Sequence, residues 1–548
     1  MKRLRHKTNR APKQYGPTRF YHNFRLTMLL ILLPLTVGAL AIYYALSGPL
    51  AVQLASFGSK RLVTDNWQIA YTQLSGTQPE YGPKNAYYRL KVGQDLDWVA
   101  QHFSIDAVRL QEINPGLVTY NTTVAIPPVE KPLQPFGVTS GNVYNLTVRE
   151  VDGTLRLSND FRNPKVRTTI PEMTQFLAYY GAISKIADKH YRINRPISIE
   201  KNIRLDITGS TVNKLELSSG PNFAITCLCA ESAEILIKDT AITSVDPTTN
   251  QPDTKQEDGR SFIRGLNSTR LDIINSDISY LGSGLNSQQS QKAILRNGGM
   301  YGTAWRINDD KLGQEIATGW VEGSTFHNNY YGAYSFGASG MMWRNNLFNQ
   351  NEVYGLDPHD DSNSAIIENN RFIKNGKHGF IVSKRCNFNI IRNNISVDNG
   401  LHGFMLHQDS NYNLIENNMA IGNTDNFVIF NSSFNTISAN KSYVPRSSHV
   451  RSNFKAKQNY ITDNLFYGGK QGISLYEGVD GALVEQNVFN KISDNILNTS
   501  QAGRVLLTNN TVDSLHYRIA EADRVVFGPN RVETKPALDM SPLQVYYY

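Results

Sequence analysis

Seven consecutive residues, Tyr354 to Asp360, bring together side chains of the kinds that move protons. They read Tyr-Gly-Leu-Asp-Pro-His-Asp, which supplies a phenol, an imidazole and two carboxyl groups. These groups are the usual general acids and bases of enzymes. A proline inside a strand removes a hydrogen bond of the sheet and is disfavoured there. An unfavourable Pro358 between Asp357 and His359 therefore suggests a functional reason for the segment.

Histidine, tyrosine and charged residues recur around this segment at steps of 23 or 24 residues. Three series share that step: Phe336, His359, Ser383 and His407; Tyr331, Tyr354, His378 and His402; Asp361, Arg385 and Asp409. If each step is one turn of a solenoid, the members of a series stack and their side chains converge on one face. Such a face forms a long groove that suits an extended polymer, although outward residues of a solenoid are often simply polar and exposed.

An asparagine repeat predicts the fold that must position these side chains. Its steps are 24, 24, 24, 22, 24, 23 and 23 residues, and its members are Asn346, Asn370, Asn394, Asn418, Asn440, Asn464, Asn487 and Asn510. A fixed period of this size indicates a solenoid. Apolar pairs alternate with polar residues in each unit, which favours strands over leucine-rich or helical repeats. We predict an all-β, right-handed parallel β-helix of roughly ten to thirteen coils over residues 191–530, with the asparagines stacked in a ladder.

Cysteine is sparse, and Cys227 and Cys229 stand two residues apart on a predicted strand. Their side chains then point to the same side without disulfide geometry. The sequence therefore predicts two small buried side chains rather than a disulfide or zinc ligands.

The basic charge of the chain is concentrated at its start. Residues 1–25 hold eight of the 55 basic residues and no acidic residue, so 47 basic residues face 47 acidic ones in the rest. A neutral folded region lacks the basic patch that nucleic-acid binding needs. We interpret residues 1–25 as a cytoplasmic tail.

Leu26–Ser47 is a long apolar segment without charged residues. Its length is enough to span a hydrocarbon core of roughly 30 Å. The basic flank predicts a cytoplasmic N-terminus and an extracytoplasmic remainder. We expect a single-pass inner-membrane anchor with the rest of the chain on the periplasmic side; a cleaved signal peptide has the same order of regions and is the alternative.

A compact module, residues 86–130, follows a linker at 48–85. Two short strand patterns flank two amphipathic helices, at about Leu96–His102 and Ile105–Ile113. The stretches Val92–Asp95, Asn114-Pro115 and Ile126-Pro127 resemble the corresponding parts of a LysM module. The resemblance implies binding to N-acetylglucosamine-containing chains such as peptidoglycan, although a spacer that binds nothing fits too. Residues 131–190 are assigned as a connecting or capping region and 531–548 as a tail.

Three stretches of the predicted β-helix carry a second resemblance, which covers about residues 190–480. Val353–Asp360 reads V-Y-G-L-D-P-H-D, His378–Ser383 reads H-G-F-I-V-S, and Thr318–Phe326 reads T-G-W-V-E-G-S-T-F. These resemble the periplasmic mannuronan C5-epimerases of alginate biosynthesis and, more loosely, the secreted calcium-dependent alginate epimerases. The resemblance implies conversion of β-D-mannuronate to α-L-guluronate within an alginate-like polyuronate.

Epimerisation at C5 removes a proton α to a carboxylate and returns one to the opposite face. The carboxylate must be neutralised first, because its charge opposes formation of the enolate. The resemblance implies that His359 is the base, that Asp357 and Asp360 orient it or raise its basicity, and that Tyr354 or a water is the opposing acid. The substrate-binding residues are then Asp360, His378, Ser383, His402, His407 and Tyr331. We expect no cofactor and no metal, since no Asp/Gly-rich calcium repeat is present.

Two neighbouring residues compete for the role of neutralising cation. Alignment with the family motif favours Lys384, the residue directly after Ser383. Strand alternation favours Arg385, because residues 383 and 385 of a continued strand share the face of His359. A guanidinium also matches a carboxylate with two parallel hydrogen bonds, and we expect Arg385 to be the partner. Leu401 replaces an arginine of the secreted relatives, which leaves His402 as an extra donor.

Two other functions fit the same features. A polyuronate lyase would form the same enolate and then expel the O4 leaving group. A noncatalytic polysaccharide-binding or export scaffold would suit the anchor and the LysM-like module, and an exopolysaccharide export complex is a further partner to consider.

We expect the full-length chain to fractionate with membranes and residues 48–548 to be accessible from outside the cytoplasm, because the basic flank orients an uncleaved span. Cell fractionation combined with protease accessibility measures both properties. Recovery of a soluble mature form that begins near residue 50 would show instead that Leu26–Ser47 is a cleaved signal.

Overall fold

The computed structural model describes residues 63–76, 79–136, 143–220, 225–257, 259–284, 301–520 and 523–533. The predicted basic tail, the predicted span Leu26–Ser47 and most of the predicted tail 531–548 lie outside these ranges. Within them, no helix has the length and apolar character needed to cross a bilayer.

Three long sheets of mostly parallel strands form the main domain, and successive strands of the chain visit sheets 1, 2 and 3 in turn. Sheet 1 consists of Thr147–Val151, Thr154–Ser158, Ile197–Glu200, Cys227–Glu231, Phe262–Leu266, Thr303–Arg306, Ala333–Phe336, Leu356–His359, Phe380–Ser383, His402–His407, Asp425–Phe430, Ser448–Asn453, Gln471–Tyr476, Asn495–Ser500 and Tyr517–Ile519. Sheet 2 consists of Val166–Thr169, Ile203–Thr208, Glu234–Lys238, Arg270–Ile274, Trp320–Glu322, Met342–Arg344, Ile366–Glu368, Ile390–Arg392, Leu414–Glu416, Thr436–Ser438, Tyr460–Thr462, Ala482–Glu485, Val505–Thr508 and Val525–Phe527. Sheet 3 consists of Ile183–Ala187, His190–Ile193, Lys214–Ser218, Ala241–Asp246, Gln251–Pro252, Asp277–Ser279, Thr325–His327, Leu347–Asn349, Arg371–Ile373, Ile395–Val397, Met419–Ile421, Lys441–Tyr443, Leu465–Tyr467, Val488–Asn490, Thr511–Val512 and Arg531–Val532.

The predicted parallel β-helix is therefore confirmed. Sheets of 15, 14 and 16 strands give a number of coils at or just above the upper end of the predicted range. Parallel pairing begins with Thr154–Ser158 against Ile197–Glu200, earlier than the predicted boundary at residue 191. The antiparallel strand Thr147–Val151 and the helix Ile170–Phe176 lie at this end of the domain.

The predicted asparagine ladder is present, and its side chains are buried. Each Nδ2 donates to the Oδ1 of the asparagine one coil further, at 2.9 Å from Asn346 to Asn370 and 3.0 Å from Asn370 to Asn394. The same Nδ2 also donates to a backbone carbonyl, as Asn394 does to Ile367 at 2.8 Å. Two further ladders were not predicted: Asn329, Asn351, Asn375, Asn399 and Asn423; and Asn389, Asn413, Asn435 and Asn459.

The core consists of inward side chains that stack from coil to coil. The rings of Phe326 and Phe348 lie 5.0 Å apart, and those of Phe348 and Phe372 lie 5.2 Å apart. Apolar burial of this kind is the main favourable contribution to the stability of the fold. Because every second residue of a strand points inward, the alternate residues of sheet 1 point outward.

The N-terminal module has the two strands and two helices that the sequence predicts. Ala86–Arg89 pairs antiparallel with Thr123–Ile126, and helices Leu96–Phe103 and Ala107–Ile113 lie between them. The module packs on the β-helix through His102 of its first helix, whose Nε2 lies 2.8 Å from the carbonyl oxygen of Ser268. Elsewhere in the described ranges, the helices are Trp67–Ser75 and the short 3₁₀ turns Val143–Asn145, Ala178–Tyr180 and Asp309–Lys311.

The prediction for the paired cysteines is right about their burial and wrong about the absence of a disulfide. Cys227 and Cys229 form a disulfide with each other, and both residues are buried on sheet 1. Strand alternation correctly puts them on one side, but it does not by itself prevent the two sulfurs from meeting.

We expect Asn394→Ala to lower the free energy of unfolding by about 3 kcal/mol, because it leaves the Asn370 amide and the Ile367 carbonyl without their buried partner. The matched control is Asn393→Gly at the neighbouring exposed position, whose φ of 55° glycine adopts freely. Urea unfolding of both variants measures the difference. Equal midpoints would show that the ladder contributes little to stability.

Candidate active site

The predicted series of residues stack on the outward face of sheet 1. Parallel pairing places Phe336 beside His359, His359 beside Ser383 and Ser383 beside His407. The second series stacks through its rings, with centroids 5.0 Å apart from Tyr331 to Tyr354, then 4.8 Å to His378 and 4.9 Å to His402. The sequence therefore predicted correctly which side chains meet across neighbouring coils.

His359 is held by one carboxylate, that of Asp360. Strand Leu356–His359 ends at the histidine, and Asp360 follows in the left-handed region with a φ of 33°. Its Oδ2 accepts a hydrogen bond from Nδ1 of His359, which leaves Nε2 to face a ligand. Burial lowers the pKa of His359, Asp360 opposes that shift, and the charges of Lys384 and Arg306 add to it. The imidazole is therefore neutral at pH 7 and can accept a proton.

Asp357 makes no hydrogen bond to His359. Its side chain is buried, and Oδ1 has no hydrogen-bond partner among the residues that the structure describes. Burial and the nearby charge of Asp360 raise the pKa of Asp357 well above its usual value, and Lys384 opposes the shift. Of the two carboxyls expected to orient His359, only Asp360 does so; Asp357 is a buried group that favours its neutral form.

Tyrosines surround Asp357 on the groove face. Burial raises the pKa of Tyr354 to about 12, and burial also raises the pKa of Tyr331 and Tyr334. All three phenols are therefore protonated at neutral pH and can donate. Tyr334 was missed by the sequence analysis, although its ring centroid lies 5.6 Å from that of His359. It pairs with Asp357, so applying the repeat step to Asp357 would have identified it.

The strand-alternation argument for Arg385 is wrong, because strand Phe380–Ser383 ends before it. Lys384 and Arg385 both have left-handed backbones, with φ of 63° and 61°. The same two-residue bend occurs one coil earlier at Asp360 and Asp361 and one coil later at Gln408 and Asp409. Residue parity along the strand therefore does not extend to position 385.

Lys384 and Arg385 differ in the carboxylate contacts that their side chains make. Arg385 forms a two-pronged ion pair with Asp361, with Nε at 2.9 Å from Oδ1 and Nη2 at 2.7 Å from Oδ2. Lys384 has a looser contact, with Nζ 3.8 Å from Oδ2 of Asp360. Its charge lowers the pKa of both His359 and His407. Lys384 therefore lies in the electrostatic field of the groove histidines, whereas Arg385 is bound to Asp361 at the bend.

Ser383 and His407 form a second polar pair. Oγ of Ser383 lies 2.8 Å from Nδ1 of His407. Burial, together with the charges of His359 and Lys384, lowers the pKa of His407 to about 4. This imidazole is neutral across the physiological range and offers polar contacts without charge.

His402, the predicted extra donor, has protein groups close to both of its ring nitrogens. Its Nδ1 lies 3.3 Å from Oδ2 of Asp425, and its Nε2 accepts a hydrogen bond from Nη2 of Arg451 at 2.8 Å. Nε2 is therefore occupied by Arg451, whereas Nδ1 forms no hydrogen bond among the residues that the structure describes. Its neighbour His378 is buried, which lowers its pKa to about 3.

Arg306 is a further cation near His359 that the sequence analysis missed. It pairs with Phe336 in the His359 series, and its guanidinium carbon lies 4.2 Å from the centroid of that ring. The separation of 306 from 336 is 30 residues rather than 23 or 24, so the repeat step did not reach it. Within the described residues, no group of three or more His, Cys, Asp or Glu side chains could hold a metal ion.

Comparison with known proteins agrees with this architecture. Residues 261–420 match the family model described as "Right handed beta helix region". The crystal structure of a periplasmic alginate epimerase, AlgG, superposes with a TM-score of 0.52 and 18% identity, covering 87% of this chain and 99% of that one. At that identity the likeness shows the fold, a right-handed parallel β-helix.

Curated relatives match a shorter part of the chain. It is 29% identical over 188 residues to the mannuronan C5-epimerase of Pseudomonas putida, which is 34% of this chain and 33% of the relative. It is 26% identical over 189 residues to that of Pseudomonas aeruginosa, covering 34% and 32%. The chain is therefore similar to mannuronan C5-epimerases and matches about a third of their length.

Proposed function

We propose that this chain is an isomerase that converts β-D-mannuronate to α-L-guluronate by epimerisation at C5 within alginate or a similar polyuronate. The observation that carries the proposal is the neutral imidazole of His359, fixed by Asp360 on the outward face of a β-helix, with the protonated phenol of Tyr334 and the charge of Lys384 near it. The similarity to mannuronan C5-epimerases supports the choice of substrate.

Lys384 neutralises the uronate carboxylate in this proposal. A uronate is a poor carbon acid until its negative charge is balanced, because deprotonation at C5 adds a second charge. Lys384 is half-exposed, and its contact with Asp360 is long, so its ammonium can turn to a substrate carboxylate. Arg385 already bonds the carboxylate of Asp361 through two atoms and serves to fix the bend. These contacts support Lys384 over Arg385, which strand alternation had favoured.

His359 then takes the C5 proton on Nε2, and the C5–H electron pair passes into the enolate of the neutralised carboxylate. The imidazolium that forms is stabilised by the carboxylate that already accepts from its Nδ1. A proton returns to C5 from the opposite face of the ring. Tyr354 is the proposed donor, directly or through a water, because its raised pKa keeps its phenol protonated.

The two competing functions explain less of the geometry. A lyase would need the O4 leaving group to depart from the same enolate, and the known similarities are to epimerases. A noncatalytic scaffold would have no use for an imidazole fixed by a carboxylate beside a buried carboxyl group. The products distinguish all three functions, since a lyase would create unsaturated chain ends and a scaffold would leave the polymer unchanged.

We propose further that the enzyme lies in the periplasm, anchored to the inner membrane by Leu26–Ser47.

The module at 86–130 is proposed to contact N-acetylglucosamine-containing chains. Two of its loops, one after strand Ala86–Arg89 and one before strand Thr123–Ile126, carry exposed apolar side chains. Val92 is 58% exposed, Leu117 90% and Tyr120 64%. Leu90 and Thr122 join the loops through a backbone hydrogen bond of 3.0 Å. Sedimentation with peptidoglycan of wild type and Leu117→Asp would test this contact.

We expect His359→Asn to reduce C5 exchange by about a hundredfold or more, because it removes the general base. Wild-type exchange should fall as pH drops through the His359 pKa, which lies below 6.5, because the base must be neutral. Deuterium incorporation into polymannuronate, followed by mass spectrometry, measures the rate. Circular dichroism and polymer binding should stay near wild type; near-normal exchange in the variant would eliminate His359 as the base.

Lys384→Ala and Arg385→Ala separate the two cations. Lys384→Ala should lower kcat far more than it raises KM, by about a hundredfold, because the neutralising charge acts on the transition state. Arg385→Ala should have a milder effect through the position of the bend. Steady-state kinetics on polymannuronate decide between them. An inactive Arg385→Ala beside a nearly normal Lys384→Ala would restore the opposite assignment.

A further inference from the structure

Arg451 is fixed on the groove face by side chains from three other coils. Its Nε lies 3.2 Å from Oδ2 of Asp425, its Nη2 donates to Nε2 of His402 at 2.8 Å, and its Nη1 donates to the hydroxyl of Tyr476 at 3.4 Å. A guanidinium has five N–H groups in a rigid planar fork. The hydrogen bonds among the described residues use one N–H on each Nη, which leaves the second N–H of each Nη for another acceptor, while the buried Nε forms an ion pair with Asp425 but no hydrogen bond.

The side chain of Arg451 extends from its own strand toward the coil that carries Tyr354 and His359. Arg451 belongs to strand Ser448–Asn453, but it reaches back to His402, which is two coils beyond Tyr354 in the ring stack. At a strand spacing of about 4.8 Å, two coils correspond to roughly 10 Å. The guanidinium is therefore separated from the reacting centre by a distance that a neighbouring sugar of a polymer could bridge.

Apolar side chains form the floor between the two positions. Ile381, Met405 and Val428 stack in one outward series that continues to Arg451, and they pack together as a buried cluster. The apolar faces of sugar rings can lie on such a floor while their carboxylates extend to either side. The floor thus connects His359 at one end with a cation at the other.

The contacts of Arg451 orient its guanidinium and leave N–H groups that an anion can bind. His402 accepts a hydrogen bond and is neutral, so it orients the guanidinium without balancing its charge. Asp425 is buried, whereas the side chain of Arg451 is 24% exposed. A partly exposed guanidinium in a fixed orientation matches a carboxylate better than a flexible lysine does.

We propose that Arg451, positioned by His402 and Asp425, binds the carboxylate of a uronate residue further along the same chain as the residue that reacts at His359. The site is a subsite for a polyanionic saccharide and gives His402 a positioning role in place of a donor role. This inference rests on the proposed function, since it takes the occupant of the groove to be a polyuronate.

The test uses a variant that removes both charges, Arg451→Met combined with Asp425→Asn. Removal of the arginine alone would leave a buried carboxylate without its cation and could disturb the fold. Asparagine at 425 retains an oxygen that can accept from the Ser448 amide, as Asp425 Oδ1 does at 3.1 Å. The matched control is Arg518→Gln, because Arg518 lies in the same outward series three coils further and is exposed.

Kinetics are measured on polymannuronate and on oligomannuronates of increasing length. We expect the ratio of kcat/KM for the polymer to that for the shortest reactive oligomer to fall about tenfold in the double variant, as the loss of one charged hydrogen-bonded contact implies. Arg518→Gln should leave the ratio at its wild-type value. An unchanged ratio in the double variant, or an equal loss at every length, would overturn the inference.

Binding separates this inference from the proposed function. Calorimetric titration with polymannuronate should show weaker binding by the double variant than by wild type. If wild type binds the polymer but exchanges no C5 proton, the proposed function fails while the affinity of the double variant still decides the subsite. If wild type binds no polymannuronate, both are overturned.

Discussion

The whole arrangement depends on the buried asparagine ladders that join successive coils. Each ladder side chain satisfies the next asparagine and a backbone carbonyl at once, as Asn370 does with Asn394 and Trp343. A slip of one residue in any coil would leave several buried polar groups unpaired and would turn each outward side chain of that coil inward. The ladders therefore fix the register with which all other side chains stack.

This fixed register brings the residues of the candidate site together. His359, Tyr354 and Ser383 come from different turns, yet they meet because each coil returns to the same phase. The bend that follows strands Leu356–His359, Phe380–Ser383 and His402–His407 adds a second regularity, since two left-handed residues place Asp360 against His359 and Lys384 beside Asp360. The chemistry is thus built from residues that are distant in sequence but constrained to neighbouring positions.

Periodicity explains both what the sequence predicts and what it misses. The fold, the main ladder and two stacked series follow from a step of 23 or 24 residues, which can be counted directly. Arg306 is missed because the chain has extra residues before Phe336, and Arg451 is missed because a long side chain crosses two coils. The strand-alternation argument for Arg385 does not hold because alternation describes strands and the strand ends at Ser383. Contacts made by bends and long side chains depend on backbone angles that a repeat count does not contain.

The central claim is that the groove carries out epimerisation on an intact polyuronate. Proton NMR of polymannuronate incubated with the protein in deuterated water tests it most directly. The account predicts guluronate signals that grow with time, deuterium at C5 of the new residues and a constant number of chain ends. Unsaturated chain ends that absorb in the ultraviolet, without guluronate, would contradict it and identify β-elimination at the same enolate.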